Sequence, residues 1–340
     1  MLSKNDKKNL SKDRRLRLSL RDIILNWSPN TNQISRQARA QMLQDIRAFF
    51  LQRKVLEVET PALSQAANTD PFISSFQSSN HDEPRYLHTS PEYPMKRLLA
   101  AGSGDIYQIC KVWRKEESGN NHNPEFTMLE WYRVGFSYKQ LIQEVIELLH
   151  GLIPLLQKPE RFSYEQLFLD KFSINPHIAT KEELVKCVLA NISGLDTADL
   201  ERQGLLDALL THCIEPGFAN DCLTIIYDYP VSQAALAQVR YQEKYPVAER
   251  FEVYLGALEL GNGYQEETSY TQNKRVLQSE NKIRLATGQD EMPEDKLFLK
   301  ACEAGIPTSA GIAMGVDRIL MCITGEKSIQ KVINFPWDKA

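Results

Sequence analysis

The chain has 340 residues, of which 42% are hydrophobic and 25% charged, a composition typical of a globular protein with a substantial core. Its formal net charge of -4 argues against a protein whose main ligand is a nucleic acid. No apolar run is long enough to span a membrane, and the six cysteines form no CxxC pair. We therefore expect a reduced, cytoplasmic protein without a membrane partner.

The amino-terminal segment is rich in lysine and arginine but contains no apolar core of a signal peptide. We predict a basic, disordered tail over residues 1–33, followed by one catalytic domain over residues 34–340. A weak contact of the tail with nucleic acid or a protein partner is the alternative reading.

The first regular elements follow from apolar spacing. Residues 38–53 place Met42, Ile46 and Phe50 at helical intervals, which predicts an amphipathic helix. Residues 55–58 then form a short strand that Pro61 ends, because proline cannot donate a hydrogen bond to a sheet. A short helix follows at residues 94–101.

Two strands, at residues 106–114 and 126–134, flank a polar loop. The alternation of a strand puts Phe126, Glu130 and Tyr132 on one face, where an aromatic ring and a carboxylate can contact a ligand. An antiparallel partner strand would bring Arg114 to the same surface, where its guanidinium suits a phosphate or carboxylate. The alternative is a half-buried strand with an isolated glutamate. In the loop, His122 is either a phosphate contact or a simple loop residue.

The second half of the chain alternates between helices and strands. Residues 138–222 predict a mainly helical insertion, and strands resume at Leu223. Hairpins rather than strict strand–helix–strand alternation favour an α+β fold with a mainly antiparallel sheet flanked by helices.

Residues 250–266 predict a hairpin with acidic residues. A two-residue turn at Gly256 would place Tyr254 opposite Glu259, so that Glu252 and Glu259 lie diagonally on one face. Such a pair suits Mg²⁺ bound together with phosphate oxygens, although two solvated glutamates would show the same pattern.

The same hairpin carries Asn262 and Glu266. Each is an odd number of residues from Glu259, so in a regular strand their side chains lie on the opposite face. Both side chains reach the face of Glu259 only if the strand contains a β-bulge. Gly261 and Gly263 are suitable residues for such a bulge.

Near the carboxyl terminus, SAGIAMGVDRIL predicts a strand of small residues that enters a helix. Gly311 and Gly315 permit a close approach of the backbone, and Arg318 in the first helical turn favours an anion. The glycines match neither GxGxxG nor the Walker pattern, so neither a dinucleotide-binding fold nor a P-loop is indicated.

Three segments together resemble the signature motifs of class II aminoacyl-tRNA synthetases, with wording similar to the lysyl branch. LEVETPALS resembles motif 1, VWRKEESGNNHNPEFTMLEWY resembles motif 2 and GIAMGVDRIL resembles motif 3. The resemblance implies the catalytic core of that class, ATP and Mg²⁺ as cofactors, and a homodimer with Pro61 at its interface.

The resemblance also implies roles for individual residues. Arg114 and Arg318 would be catalytic, and Glu252 and Glu259 would hold Mg²⁺. An ATP site would be formed by Arg114, Lys115, Glu116, His122, Asn123, Phe126, Glu259, Leu260, Gly315 and Arg318. An amino-acid pocket would be formed by Ser90, Pro91, Glu92, Glu130, Tyr132, Asn262, Glu266 and Ala313.

The sequence departs from ordinary lysyl-tRNA synthetases in two respects. The roughly 35 residues before motif 1 are too few for the five-stranded anticodon-binding barrel, so we expect a catalytic core without an anticodon-binding domain. Ser90 and Ala313 stand where those enzymes have alanine and glycine. Because these changes alter pocket volume and polarity, we expect the preferred amino acid to differ in backbone shape from α-lysine.

Both departures are similar to those of bacterial lysyl-tRNA synthetase paralogues that modify elongation factor P. That resemblance implies activation of (R)-β-lysine, or lysine, as an adenylate and its transfer to a lysine of elongation factor P, with tRNA as a disfavoured partner. Two alternatives are a truncated lysyl-tRNA synthetase that charges tRNA and an inactive regulator that only binds lysine or nucleotide.

Overall fold

The computed structural model describes residues 27–78, 83–241 and 244–340. The tail predicted at residues 1–33 lies outside these ranges as far as residue 26, so its disorder stays a prediction. Near residue 27, the backbone N–H of Asn30 donates to the carbonyl of Asn334 at 2.8 Å, and the hydroxyl of Thr31 donates to the side-chain oxygen of Asn334. The start of the described chain therefore packs on its carboxyl-terminal segment.

The described residues form two β-sheets. The strands in chain order are β1 (Leu56–Glu57), β2 (Leu63–Ser64), β3 (Gln77–Ser78), β4 (Arg85–Leu87), β5 (Ile106–Trp113), β6 (Glu125–Val134), β7 (Glu160–Ser163), β8 (Leu223–Pro230), β9 (Val239–Tyr241), β10 (Pro246–Leu255), β11 (Leu258–Gln265) and β12 (Ser309–Gly315). Nine of them form the main sheet in the order β1-β5-β6-β12-β11-β10-β8-β7, with β9 paired to β10, and β2-β4-β3 form a small second sheet.

Main-sheet pairing is antiparallel except at its two ends, where β1 pairs with β5 and β7 with β8 in parallel. The prediction of a mainly antiparallel sheet is therefore confirmed. β7 lies inside the segment predicted as mainly helical, residues 138–222.

The helices of the described ranges flank this sheet. They are α1 (Gln33–Gln52), α2 (Glu92–Ala100), α3 (Tyr138–Leu152), α4 (Tyr164–Phe172), α5 (Lys181–Asn191), α6 (Arg202–Leu209), α7 (Tyr270–Ala286), α8 (Lys296–Ala304) and α9 (Val316–Thr324). α1 begins earlier than the apolar spacing predicts, because the side chain of Asn32 caps it by accepting from the backbone N–H of Ser35. None of the helices described here has both the length and the hydropathy needed to cross a membrane.

The main core lies between one face of the large sheet and helices α1, α3 and α9. Phe50 of α1 stacks on Tyr107 with ring centroids 4.3 Å apart and meets the edge of Trp131 at 5.3 Å. Leu129 and Trp131 of β6 both point into this core. Because side chains alternate along a strand, the residues of β6 between and beside them face the opposite side, where the cavity lies.

Candidate functional site

A cavity of about 360 Å³ opens on the free face of the main sheet. Its floor includes Phe126, Met128, Glu130 and Tyr132 of β6, the alternate residues that the strand pattern predicts on one face. Every predicted site residue lines this cavity except Pro91, Lys115, Glu116 and Glu252. Distant parts of the sequence therefore converge on one site.

The hairpin of β10 and β11 brings its acidic residues to this cavity through a β-bulge. Tyr254 pairs with Glu259 as predicted, but Val253 pairs with Gly261, so Leu260 is the extra residue. The bulge reverses the parity of the strand, and Glu259 and Asn262 both line the cavity. A bulge in this strand is confirmed, but the extra residue is Leu260 rather than Gly261 or Gly263.

One end of the cavity carries cationic groups. Arg318 donates from Nη1 to the backbone carbonyl of Glu259 at 2.7 Å, and its Nη2 lies 2.7 Å from Nε2 of His122. Burial and the charge of Arg318 lower the pKa of His122, so the neutral ring accepts this hydrogen bond. Arg114 lies over the ring of Phe126 at 5.3 Å from its centroid, and its Nη1 is 3.5 Å from Oε1 of Glu117. This end suits phosphate groups above an aromatic plate.

The opposite end of the cavity carries three carboxylates. Glu130 accepts from the hydroxyls of Ser90 at 2.7 Å and Tyr132 at 2.6 Å. Burial and the nearby charge of Glu92 raise the pKa of Glu130 to about 8. Burial also raises the pKa of Glu266 to about 7, although Lys96 opposes this shift. A bound ammonium group would stabilise the charged form of these carboxylates and so lower their pKa values.

Asn262 and Ala313 complete the wall between the two ends. Their Cα atoms are direct partners across β11 and β12, and Ala313 is also opposite Glu130 on β6. Arg250 donates from Nε to the side-chain oxygen of Asn262 at 3.2 Å, which leaves the amide N–H groups of Asn262 to face the cavity.

Several predicted residues lie away from the cavity or have protein partners. Lys115 and Glu116 are exposed on the loop, and Pro91 is buried at the start of α2. Asn123 lines the cavity, but its side chain donates to the carbonyl of Glu125 at 2.6 Å and accepts from the N–H of Trp337 at 3.0 Å. Its amide thus fixes the backbone around the site. The roles of these residues stay predictions.

Glu252 has its oxygens occupied by protein donors. One oxygen pairs with Arg250 at 2.5 Å, and the other accepts from Tyr229 at 2.7 Å and from Tyr254. Among the described residues, the carboxylate of Glu259 has one side-chain contact, with Nη1 of Arg318 at 3.4 Å. Burial and the charge of Glu252 raise the pKa of Glu259. By its donor chemistry Glu259 fits Mg²⁺ together with phosphate oxygens, whereas Glu252 must first release Arg250. Within the described ranges, no group of three or more metal-binding side chains occurs.

The sequence interpretation missed several charged residues of the site, among them Asp70, Lys96 and Glu280. Asp70 and Glu280 line the cavity, from the loop before β3 and from α7. Lys96 lies behind it and pairs with Glu92 and Glu266. Of these three, only Lys96 carried a signal in the sequence, because its position four residues after Glu92 places both side chains on one side of a helix.

Comparison with known proteins gives a consistent result. The family model of class II tRNA synthetases (D, K and N) matches residues 13–339. An elongation factor P–(R)-β-lysine ligase of Klebsiella pneumoniae (strain 342) is 44% identical over 322 residues, which cover 92% of this chain and 98% of that protein. Proteins with the same name from Salmonella gallinarum (strain 287/91 / NCTC 13346) and Salmonella typhi are 42% and 43% identical over 321 residues, with the same coverage. The chain belongs to the class II tRNA synthetase family.

Proposed function

We propose that this chain is an ATP-dependent ligase that activates (R)-β-lysine as an adenylate and transfers it to the ε-amino group of a lysine on elongation factor P. The names of the similar Klebsiella and Salmonella proteins support the substrate and the acceptor. The family supports the use of ATP.

One observation carries the proposal: the cavity has carboxylates at one end and guanidinium groups at the other. Glu92, Glu130 and Glu266 suit the two ammonium groups of a diamine, whereas Arg114 and Arg318 suit phosphates and a carboxylate. A substrate that joins two ammonium groups to one carboxylate matches this distribution of charge. Ser90 donates to Glu130 and Ala313 lies opposite Glu130 on β12, and both residues support a β-amino acid over α-lysine.

The first step joins the amino acid to the nucleotide. A carboxylate oxygen of the substrate attacks the α-phosphorus of ATP, the bond from that phosphorus to the bridging oxygen breaks, and pyrophosphate leaves. The attacking carboxylate is already ionised, so no general base is needed. Arg114 would hold the carboxylate and the α-phosphate in line, while Arg318 and His122 would bind the distal phosphates and stabilise charge in the transition state.

The second step forms the amide bond. The acceptor lysine loses a proton to become a free amine, and its nitrogen attacks the carbonyl carbon of the adenylate. The bond from this carbon to the phosphate oxygen breaks, AMP leaves with the electron pair, and the nitrogen releases a second proton. The product is β-lysyl-lysine in amide linkage on elongation factor P.

Mg²⁺ is part of the proposal. Glu259 would hold it, with Glu252 as a second ligand if Arg250 moves away. The ion would supply positive charge to the phosphate oxygens.

The assembly and compartment are also proposed from indirect support. The exposed apolar side chains of Leu51, Leu56 and Leu63, which lie near Pro61 in the chain, support a homodimer. Sedimentation velocity of the full chain tests this assembly. The six free cysteines support a reducing, cytoplasmic location. The net charge of -4 supports a protein acceptor rather than tRNA.

Pyrophosphate exchange into ATP tests the activation step. We expect exchange that depends on (R)-β-lysine, is weaker with α-lysine and falls at least about 100-fold in Arg114→Ala, because that variant loses a transition-state contact. The exposed Arg97 provides a matched control, and Arg97→Ala should keep wild-type exchange. Absence of exchange with either isomer would leave an inactive lysine- or nucleotide-binding protein as the better account.

A further inference from the structure

Lys96 is a buried lysine next to the acidic end of the cavity. It lies on α2 with no exposed surface, and its ammonium group contacts Glu92 Oε1 at 2.7 Å and Glu266 Oε2 at 2.6 Å. Both glutamates line the cavity, but Lys96 does not. The ammonium group therefore lies behind the two carboxylates that face a substrate.

The surroundings keep Lys96 charged. Burial alone would lower its pKa, but the negative charges of Glu266 and Glu92 outweigh burial and raise it. The pairing is reciprocal, because Lys96 acts against the upward shift that burial imposes on the pKa of Glu266. A permanently charged ammonium group is thus built into the wall of the pocket.

Neighbouring elements add few other charges around this group. The titratable side chains that interact with Lys96 are Glu92 of its own helix, Glu130 of β6, Tyr264 of β11, Cys302 of α8, and Glu266, which follows β11. The two contacts of Lys96 are ion pairs with carboxylates, and the ring of Phe298 has its centroid 5.9 Å from the ammonium nitrogen. Lys96 is the only cation that contacts these two carboxylates within the described part of the chain.

The position of Glu266 depends on Lys96 and on Gly311. One carboxylate oxygen meets Lys96, and the backbone N–H of Gly311 also donates to this carboxylate. A Cβ atom at Gly311 would lie 2.5 Å from the Oε1 atom of Glu266, so glycine is needed for this arrangement. Glu266 therefore enters the cavity in one fixed orientation.

We propose that Lys96 is a positioning residue that orients Glu92 and Glu266 and favours the charged form of Glu266, and that it thereby sets the charge of the pocket for a diammonium substrate. The inference rests on the proposed function. With Glu130 ionised, Glu92, Glu130, Glu266 and Lys96 together carry two net negative charges, which the two ammonium groups of a diamine match. Glu280 of α7 also lines the cavity, accepts a hydrogen bond from Thr69 and adds to the negative potential at Glu92. Without Lys96 the pocket carries one more negative charge than the two ammonium groups can cancel. One carboxylate then binds a proton, and the affinity for the substrate falls.

Calorimetric titration of (R)-β-lysine into the full-length protein across pH tests this role. In Lys96→Met we expect the dissociation constant at neutral pH to rise at least about tenfold, and the pH above which binding is tight to move upward by about one unit, because a lost cation raises the pKa of nearby carboxylates. Exchange at saturating (R)-β-lysine should change less than about threefold, because Lys96 does not touch the reacting atoms.

Two variants control the experiment. Lys300→Met removes an exposed lysine, changes the net charge equally and should leave the pH profile unchanged. Glu92→Gln/Lys96→Met removes one charge of each sign and should fold even if Lys96→Met does not. Its profile should lie about one pH unit above that of Glu92→Gln.

Several outcomes would overturn the role of Lys96. One is a folded Lys96→Met variant with the affinity and pH profile of the wild type. A second is the same pH profile of binding in Glu92→Gln and in the double variant. A third is failure of both Lys96 variants to fold. If the wild-type protein binds (R)-β-lysine but shows no pyrophosphate exchange, the proposed ligase activity is contradicted. The role of Lys96 in substrate binding can still be measured in that case.

Discussion

At the scale of single residues, the sequence pattern predicts which side chains meet better than how they are paired. The alternation of β6 correctly puts Phe126, Glu130 and Tyr132 on one face. The alternation of β10 also puts Arg250 and Tyr254 on the face of Glu252, but it does not show that both bind this carboxylate. The third donor, Tyr229, comes from the neighbouring strand β8, and such a partner depends on tertiary distances that no local pattern contains.

Ala313 provides a prediction on selectivity. Its methyl group narrows the cavity between Glu130 and Asn262. Ala313→Gly should therefore shift the ratio of kcat/KM for the two lysine isomers roughly tenfold toward α-lysine, the size of effect expected for one methyl group in a tight pocket. Pyrophosphate exchange with each isomer measures the ratio.

A matched control separates pocket volume from backbone flexibility. Ala310 lies on the same strand, is fully buried and does not line the cavity. Ala310→Gly should weaken the strand without changing the preference between isomers. An unchanged ratio in Ala313→Gly, or an equal shift in both variants, would show that Ala313 does not set selectivity.

At the scale of elements, the β10–β11 hairpin shows how much of a hairpin's geometry can be predicted from the sequence. Its turn, its register at Tyr254 and the need for a bulge all follow from strand parity, and the structure confirms them. The bulged residue itself, Leu260, is not predicted, because the two nearby glycines are equally suited to local distortion.

Gly261 makes the element-scale prediction. A Cβ atom there would lie 2.7 Å from Cγ of Met314 and 2.9 Å from the backbone carbonyl of Ala313, and the backbone atom cannot swing away. Gly261→Ala should lower the free energy of unfolding by about 1–3 kcal/mol and displace the neighbouring cavity residues. Urea unfolding gives the first quantity and pyrophosphate exchange reports the second.

Gly151 is the comparison site for this prediction. It lies in α3, and a Cβ atom there would meet no heavy atom within 4 Å. Gly151→Ala should therefore be neutral or slightly stabilising, since alanine favours a helix over glycine. Equal stability of the two variants would mean that β11 and β12 do not approach each other as closely as described.

At the scale of the whole molecule, charge is separated inside one cavity rather than between domains. Composition predicts a globular protein, and the three motifs predict a mainly antiparallel catalytic core, which the family match confirms. The acceptor does not follow from the cavity, because the roles proposed for Arg114, Glu259 and Arg318 concern adenylate formation, whichever nucleophile comes next. The identity of the acceptor rests on the names of the similar proteins and on Ser90 and Ala313.

Transfer to elongation factor P is thus the central claim, and intact mass spectrometry measures it most directly. Elongation factor P is incubated with this protein, ATP, Mg²⁺ and either (R)-β-lysine or α-lysine, with and without tRNA. We predict that its mass rises by one lysyl residue, faster with (R)-β-lysine, and that tRNA stays uncharged. Unchanged elongation factor P together with lysine-charged tRNA would contradict the account.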